Sequence, residues 1–300
     1  MTSNPEALPF YGGQAVLEGV MMRGRHALAV AVRAPNQEIV LHTRPLNPIY
    51  RGAVSRTPFL RGLLGLWDAL GLGWQALSFS ATVAAGEEEK LEGPAAWLTI
   101  GLTVIIALAL FSAGPAAAAY WLETALALPH WLAALIEGGL QISLLVGYLW
   151  AIGRMPDIRR VFGYHGAEHK VINAFEAGAE LTPASAARFP LEHPRCGTAF
   201  LLTVAVFSIF LFALLGPLPL AARLLSRLLL IPVVAALAFE YQRFTARHIG
   251  HPLVRALAAP GLALQRLTTR EPEPAMLEVA IAAFEAMRAQ ERAGSAQPAA

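Results

Sequence analysis

Two long apolar runs constrain the fold of this chain more than any other feature. Residues 95–119 and 197–215 are almost entirely apolar, and the second run carries no charge. A helix of about 20 apolar residues matches the thickness of the hydrocarbon core of a bilayer. Residues 131–152 are also long enough, although they include Glu137, and residues 224–241 form a shorter run. We therefore expect a mainly α-helical, polytopic membrane protein with about four transmembrane helices.

The composition agrees with a membrane environment. Hydrophobic residues make up 56% of the chain and charged residues 15%, whereas soluble domains average about 45–50% apolar and about 25% charged residues. This difference argues against an ordinary soluble enzyme. The formal net charge of +2 gives no basic surface for nucleic acid, so we expect no nucleic-acid partner. The single cysteine, Cys196, excludes an intrachain disulfide.

The positions of the basic residues predict the orientation of the chain. Residues 1–94 carry eight Lys or Arg, residues 153–196 carry six and residues 242–300 carry seven. The two connections on the opposite side carry none and two. Basic residues concentrate on the cytoplasmic side of membrane proteins. We expect both termini and the 153–196 loop in the cytoplasm, separated by two helix pairs within residues 95–152 and 197–241.

Residues 59–85 form a further apolar segment, which is rich in Leu, Gly and Trp. They contain Arg61 and Asp68, and a fifth span here would place most N-terminal arginines on the outer side. We therefore interpret this segment as an amphipathic helix that lies at the membrane interface or packs on the helix bundle.

The polar regions contain recognisable soluble elements. Residues 27–33 and 38–43 are β-branched runs joined by a turn sequence, which predicts a β-hairpin over residues 25–44. The glycine-rich residues 12–24 are interpreted as tight turns leading into this hairpin, or as a close backbone approach to a ligand. The apolar spacing over residues 275–288 predicts an amphipathic helix.

The densest group of potential ligands is an HxxEH sequence that contains His165, Glu168 and His169. Residues four positions apart share one face of a helix, where two imidazoles can bind one divalent cation. Glu168 lies between them in projection and is a candidate catalytic base or further ligand, as in the inverted zinc-protease motif. Glu176 comes eleven residues after His165 and returns to within about 20° of the same face. It is therefore a candidate third ligand.

A second cluster closes the same loop, directly before the third predicted span. His193 and Cys196 are three residues apart, and both residue types bind transition metals. Arg195 could hold an anionic part of a substrate. Glu18, in the glycine-rich segment, is a further candidate for substrate contact. The 153–196 loop holds three of the eight histidines and the only cysteine, and this concentration is the main indication of function.

Each of these patterns also has a structural interpretation. The HxxEH sequence can be a solvated helix face, and Cys196 can be a buried apolar thiol. Glu137 within a span is costly unless it faces protein or water. It could form a structural hydrogen bond, for example with Gln141, or line a polar pathway.

Four separated segments resemble a known family. They are GGQAVLEGVMMRG at residues 12–24, YHGAEHKVINAFE at 164–176, HPRCGTAF at 193–200 and LTTREPEPAMLEVAIAAFEA at 267–286. They are similar to the YqhQ-like family of bacterial multi-pass membrane proteins, a family of unknown function that has been described as predicted metal-dependent enzymes. The resemblance covers residues 11–287. It implies a bacterial cytoplasmic-membrane protein and supplies no reaction.

We therefore predict an integral membrane metal-dependent enzyme, hydrolytic in type, with a divalent ion at the cytoplasmic membrane face. Zn²⁺ is the expected cofactor and membrane lipid the expected surroundings, while the substrate is left open. The predicted roles are catalysis for Glu168, substrate binding for Arg195 and Glu18, and metal binding for His165, His169, Glu176, His193 and Cys196.

Two alternatives belong to other functional classes. One is a small transporter or channel, acting as a homo-oligomer, in which Glu137, Gln141, Arg227 and Glu240 line a polar path. The other is a membrane-bound scaffold whose hairpin and C-terminal helix bind partners.

Overall fold

The N-terminal part of the chain is a four-stranded antiparallel sheet. The computed structural model describes residues 11–86 and 94–295. Consecutive strands are neighbours in the sheet, and they are β1 (Gly12–Val16), β2 (Gly19–Arg23), β3 (Ala27–Arg33) and β4 (Ile39–Pro45). The predicted hairpin is confirmed as β3 and β4. The glycine-rich segment, interpreted as turns, instead forms two further strands. Gly19 is required there because a Cβ atom would lie 2.2 Å from the Ala31 carbonyl oxygen.

Helices form most of the remaining described chain. After a 3-10 turn at Pro48–Arg51, they are α1 (Ala53–Arg56), α2 (Leu60–Ala85), α3 (Pro94–Leu108), α4 (Gly114–Ala125), α5 (His130–Ile152), α6 (Pro156–Glu176), α7 (Pro183–Ala186), α8 (Gly197–Leu214), α9 (Leu220–Arg247), α10 (Pro252–Thr268) and α11 (Pro274–Ser295). A π-helical turn, Ala109–Ala113, joins α3 to α4. It ends two residues before Pro115, which has no N–H group to donate to a regular helix.

Four helical segments are long and apolar enough to cross a membrane. They are Gly101–Ala125, which includes α4, then α5, α8 and α9. The predicted mainly α-helical fold with about four spans is confirmed. The fourth helix is longer than the predicted residues 224–241, because it begins at Leu220 and continues to Arg247.

The α2 helix connects the sheet to the long helices. Its C-terminal half covers one face of the sheet, where Ala76 joins a core with Val16 and Val30. Its N-terminal half packs on α9, and a Cβ atom at Gly62 would lie 3.0 Å from the Ala236 Cα atom. Trp67, on another face of α2, is 68% exposed. Among the described residues, α2 is not one of the segments that meet the criteria for a span, which agrees with a helix packed on the bundle.

The other face of the sheet packs against α6 and α11. The shared core contains Val20 and Ala31 of the sheet, Ile172 of α6 and Phe284 of α11. The apolar stripe predicted for the C-terminal helix is buried in it, at Met276, Leu277, Ala280, Ile281, Phe284 and Met287. We call the sheet together with α6, α7 and α11 the polar domain. Because α6 follows the end of α5, this domain lies at one end of the four long helices.

A network of buried charges lies at the opposite end of the long helices. The Arg227 guanidinium of α9 donates to both Glu137 oxygens of α5, at 2.8 and 2.7 Å. The neighbouring Arg223 donates to Glu123 of α4 at 2.6 Å and lies 3.3 Å from Glu137. Two carboxylates and two guanidinium groups therefore hold three helices together.

The two carboxylates of the transporter hypothesis have different partners. Glu137 binds Arg227, whereas Glu240 binds Arg61 of α2. Arg227 and Glu240 are thirteen residues apart in α9, which corresponds to about 20 Å along a helix. The structure therefore does not bring Glu137 and Glu240 together.

Candidate metal centre

The HxxEH sequence lies in α6, as its spacing predicts. The rings of His165 and His169 are one turn apart, with centroids separated by 4.4 Å. Gly166 lies beside them, and a Cβ atom there would be 2.1 Å from the Arg270 carbonyl oxygen. The glycine therefore lets the chain that follows α10 approach the histidine pair closely.

Cys196 brings a sulfur atom to the two imidazoles. It is the N-cap residue of α8, and its Sγ atom accepts the Thr198 N–H at 3.4 Å. The same sulfur lies 3.3 Å from the His165 Nε2 atom. The ligand atoms of His165, His169 and Cys196 all lie within 4.8 Å of one another. We call these three residues the His–His–Cys group.

Backbone carbonyls hold both histidines in one orientation. His165 Nδ1 lies 2.8 Å from the Thr268 carbonyl oxygen, and His169 Nδ1 hydrogen-bonds the Leu191 carbonyl oxygen. Since a carbonyl oxygen only accepts, each Nδ1 atom carries the hydrogen in these bonds. The Nε2 atoms then keep their lone pairs, which is the state in which imidazole binds a metal. The donor set therefore fits a metal ion.

Glu168 is buried next to this group. Burial raises the pKa of the Glu168 carboxyl group to about 7, against a smaller opposing effect of the Gly13 backbone. A Cβ atom at Gly13 would lie 2.7 Å from the Glu168 Cγ atom. The first strand of the sheet thus makes a close contact with Glu168 that sequence reasoning did not assign to the site.

Glu176 and His193 belong to a neighbouring cluster and not to the His–His–Cys group. Glu176 forms an ion pair with Arg195, and its other oxygen lies 3.8 Å from His193 Nε2. Glu176 is eleven residues after His165, about 16 Å along the helix axis, so sharing a helix face does not bring their side chains together. The prediction of Glu176 as a ligand beside His165 overlooked this axial rise.

His193 lies beside the candidate metal centre. Its ring centroid is 5.6 Å from that of His169. Burial lowers the pKa of His193 to about 4, so the ring is neutral at pH 7. Its Nε2 atom is buried and lies 3.8 Å from a Glu176 oxygen, beside the His–His–Cys group.

Glu18 joins the sheet to α6. It lies in the turn between β1 and β2 with a left-handed φ of 51°. Its carboxylate forms an ion pair with Arg160 and accepts the Tyr164 hydroxyl at 3.3 Å. The Arg160 guanidinium keeps the pKa of Glu18 below its usual value. Glu18 thus contacts Tyr164, the residue before His165, and lies outside the His–His–Cys group.

The α10 helix supports the site, although sequence reasoning gave it no role. The buried Gln265 side chain accepts the His193 N–H at 2.8 Å and donates to the His193 carbonyl at 2.9 Å. Thr268, one turn later, supplies the carbonyl for His165. The amphipathic spacing of residues 252–268 could have predicted the helix, but these contacts depend on its packing.

Together, these features define a helical membrane-type protein that carries a His–His–Cys group where its polar domain meets the long helices. The family model of a protein of unknown function (DUF1385) matches residues 57–290. The chain is also 35% identical over 292 residues to the uncharacterized protein YqhQ of Bacillus subtilis (strain 168), which covers 92% of this chain and 91% of that protein. The chain therefore belongs to this family of unknown function, as its motifs predict. No solved structure matches it significantly.

Proposed function

We propose that this protein is an integral membrane metal-dependent enzyme, hydrolytic in type, that binds a divalent cation through His165, His169 and Cys196. The main support for this proposal is that the ligand atoms of the three residues lie within 4.8 Å of one another. Imidazole nitrogen and thiolate sulfur are the ligands that Zn²⁺ prefers, and catalytic zinc sites use three protein ligands and leave one position open. Zn²⁺ is therefore the proposed ion.

Glu168 is the proposed catalytic base. It precedes His169 directly and is buried, with the Gly13 backbone packed closely against its side chain. A carboxylate with a pKa near 7 can accept and return a proton at neutral pH. A bound divalent cation would supply Lewis-acid activation of water. Glu168 would accept the proton that the attacking water loses.

The neighbouring cluster is proposed to handle the substrate. Arg195 is oriented by Glu176 and lies between His193 and Cys196 in the sequence, so it can face an anionic group near the metal. We propose His193, which is buried beside His169, as an additional metal ligand through its Nε2 atom. Glu18 is proposed to act through its contact with Tyr164 and not by touching the metal.

The site is proposed to lie at the cytoplasmic face of the cell membrane. The sheet, α6 and α11 share one core, so the three Arg-rich segments of the sequence lie at the same end of the long helices. The excess of basic residues at this end supports a cytoplasmic position under the positive-inside rule.

Metal analysis of the purified protein tests the proposal. We expect near-stoichiometric zinc in the wild-type protein and a large loss in His165→Ala, His169→Ala and Cys196→Ser. His251→Ala is the matched control, because His251 is exposed and lies outside the site, and it should keep its metal. Absence of metal from the wild-type protein after purification and after incubation with Zn²⁺ would reject the enzyme proposal and favour the scaffold alternative.

A further inference from the structure

A cavity of about 320 Å³ lies between α8, α9 and α10. This volume is at the lower end of the range of about 300–1,000 Å³ that small-molecule sites occupy. Its lining residues are mostly apolar, and they include Ala199, Leu202, Val206, Phe207, Leu257 and Leu262.

The cavity begins beside the candidate metal centre. Ala199 lines it and comes three residues after Cys196 in the sequence. Gln242 also lines it, and its side chain donates to the Cys196 carbonyl at 2.7 Å. The lining continues along α8 to Phe207, eight residues after Ala199 and therefore about 12 Å further along the helix. The cavity thus extends from the site into the part of α8 that is apolar enough to cross a membrane.

The lining offers little to a polar ligand. Among the described residues, those that line the cavity carry no charge, and their hydroxyl groups already donate to backbone carbonyls. Thr203 donates to Ala199 at 2.9 Å, Thr245 to Gln242 at 3.0 Å and Tyr241 to Leu257 at 3.2 Å. A hydrocarbon chain forms no hydrogen bonds, and its transfer out of water lowers the free energy. The lining therefore fits an aliphatic ligand.

The helices that form the cavity walls are mostly apolar on their outer surfaces as well. Two of them, α8 and α9, are candidate spans. The third, α10, exposes Leu253 and Leu257 to 70% and 60%. Leu257 both lines the cavity and is exposed, so the boundary between cavity and surroundings is formed by apolar side chains.

We infer that this cavity holds a long alkyl chain of a membrane lipid and that the lipid is the substrate class of the proposed enzyme. The chain would occupy the cavity between α8, α9 and α10, and the polar head group would reach the His–His–Cys group near Arg195. The assignment of the lipid as substrate rests on the proposed function, whereas binding of the chain does not require it.

Photolabelling of the full-length protein in lipid nanodiscs tests this inference. The probe is a diazirine-bearing palmitate, and adducts are located by mass spectrometry of proteolytic peptides. We expect adducts on the α8, α9 and α10 residues that line the cavity, and we expect unlabelled palmitate to compete while hexanoate does not. Adducts restricted to outward-facing residues, or competition equal for both acids, would overturn the inference.

A cavity-filling variant gives a second readout. Val206→Trp places a bulky ring in the cavity, and Leu201→Trp places the same ring on α8 at a position that is 47% exposed. We expect labelling of the lining to fall about tenfold in Val206→Trp and to stay unchanged in Leu201→Trp, with wild-type metal content in both. Equal labelling in the two variants contradicts the inference. Lining adducts in a protein that binds no metal would support chain binding and reject the proposed enzyme.

Discussion

The His165 Nε2 atom lies 3.3 Å from the Cys196 Sγ atom, although 31 residues separate the two in the sequence. One residue belongs to the polar domain and the other begins a candidate span. The α10 helix helps to fix this contact, because it provides the Thr268 carbonyl for His165. The candidate metal centre is therefore located where the polar domain meets the membrane-type helices.

Gly13→Ala tests the position of Glu168. The new methyl group would lie 2.7 Å from the Glu168 Cγ atom and 2.7 Å from the Met21 carbonyl oxygen, so the carboxylate must move. We expect loss of most Glu168-dependent activity with retained metal, measured by metal analysis and by turnover.

Gly12→Ala is the matched control, because a Cβ atom at Gly12 meets nothing within 4 Å. It should behave like the wild-type protein. If Gly13→Ala also retained full activity, Glu168 would not be held in the way described.

Gln265→Ala tests the support that α10 gives to the site. Gln265 is fully buried and exchanges two hydrogen bonds with the His193 backbone, in the segment that leads to Cys196. Loss of an outer support of this kind costs about 10–100-fold in metal affinity, and we expect a loss in that range in a competition titration with a zinc chelator. Arg266→Ala is the control, since Arg266 has a 76% exposed side chain. Equal zinc affinities in the two variants would show that Gln265 of α10 does not affect metal binding.

The sequence predicted those features that depend on composition and local periodicity. The long apolar helices, the helix that carries His165 and His169, and the β3–β4 hairpin are of this kind. The strands β1 and β2 were not predicted, because glycine has a low strand propensity. In this sheet, glycine is required by close backbone contacts such as that of Gly19 with Ala31.

The composition of the site could be predicted only in part. The helical periodicity of HxxEH pairs the two histidines, but it contains no information about which residue completes the group. Glu176 shares their helix face and yet pairs with Arg195. Cys196 joins the group because the fold brings its Sγ atom to 3.3 Å from the His165 Nε2 atom, and this approach depends on tertiary structure.

The buried charge network predicts a large stability effect. Glu137→Gln would leave Arg223 and Arg227 without their shared carboxylate, and both arginines are at most 4% exposed. Removal of one partner from a buried pair typically costs about 3–5 kcal/mol. We expect a decrease of this size in the free energy of unfolding, measured in detergent micelles with a denaturant series. Glu240→Gln, which breaks a more exposed pair with Arg61, should cost less, and the reverse order would contradict the structure.

Cysteine labelling tests the predicted orientation. Asn36→Cys places a thiol in the exposed β3–β4 turn, and Leu126→Cys places one at the opposite end of the long helices, where Leu126 is 63% exposed. In intact bacteria, a membrane-impermeant maleimide should label the Leu126→Cys protein and not the Asn36→Cys protein. Both should react after permeabilisation. The opposite pattern in intact cells would reverse the proposed sidedness.

X-ray absorption spectroscopy at the zinc edge tests the central claim most directly. If His165, His169 and Cys196 bind the ion, the spectrum of the zinc-loaded protein should contain one sulfur at about 2.3 Å and nitrogen ligands at about 2.0–2.1 Å. The sulfur contribution should disappear in Cys196→Ser while the nitrogen contribution remains. A wild-type spectrum without sulfur, or one unchanged by Cys196→Ser, would contradict the proposed metal centre.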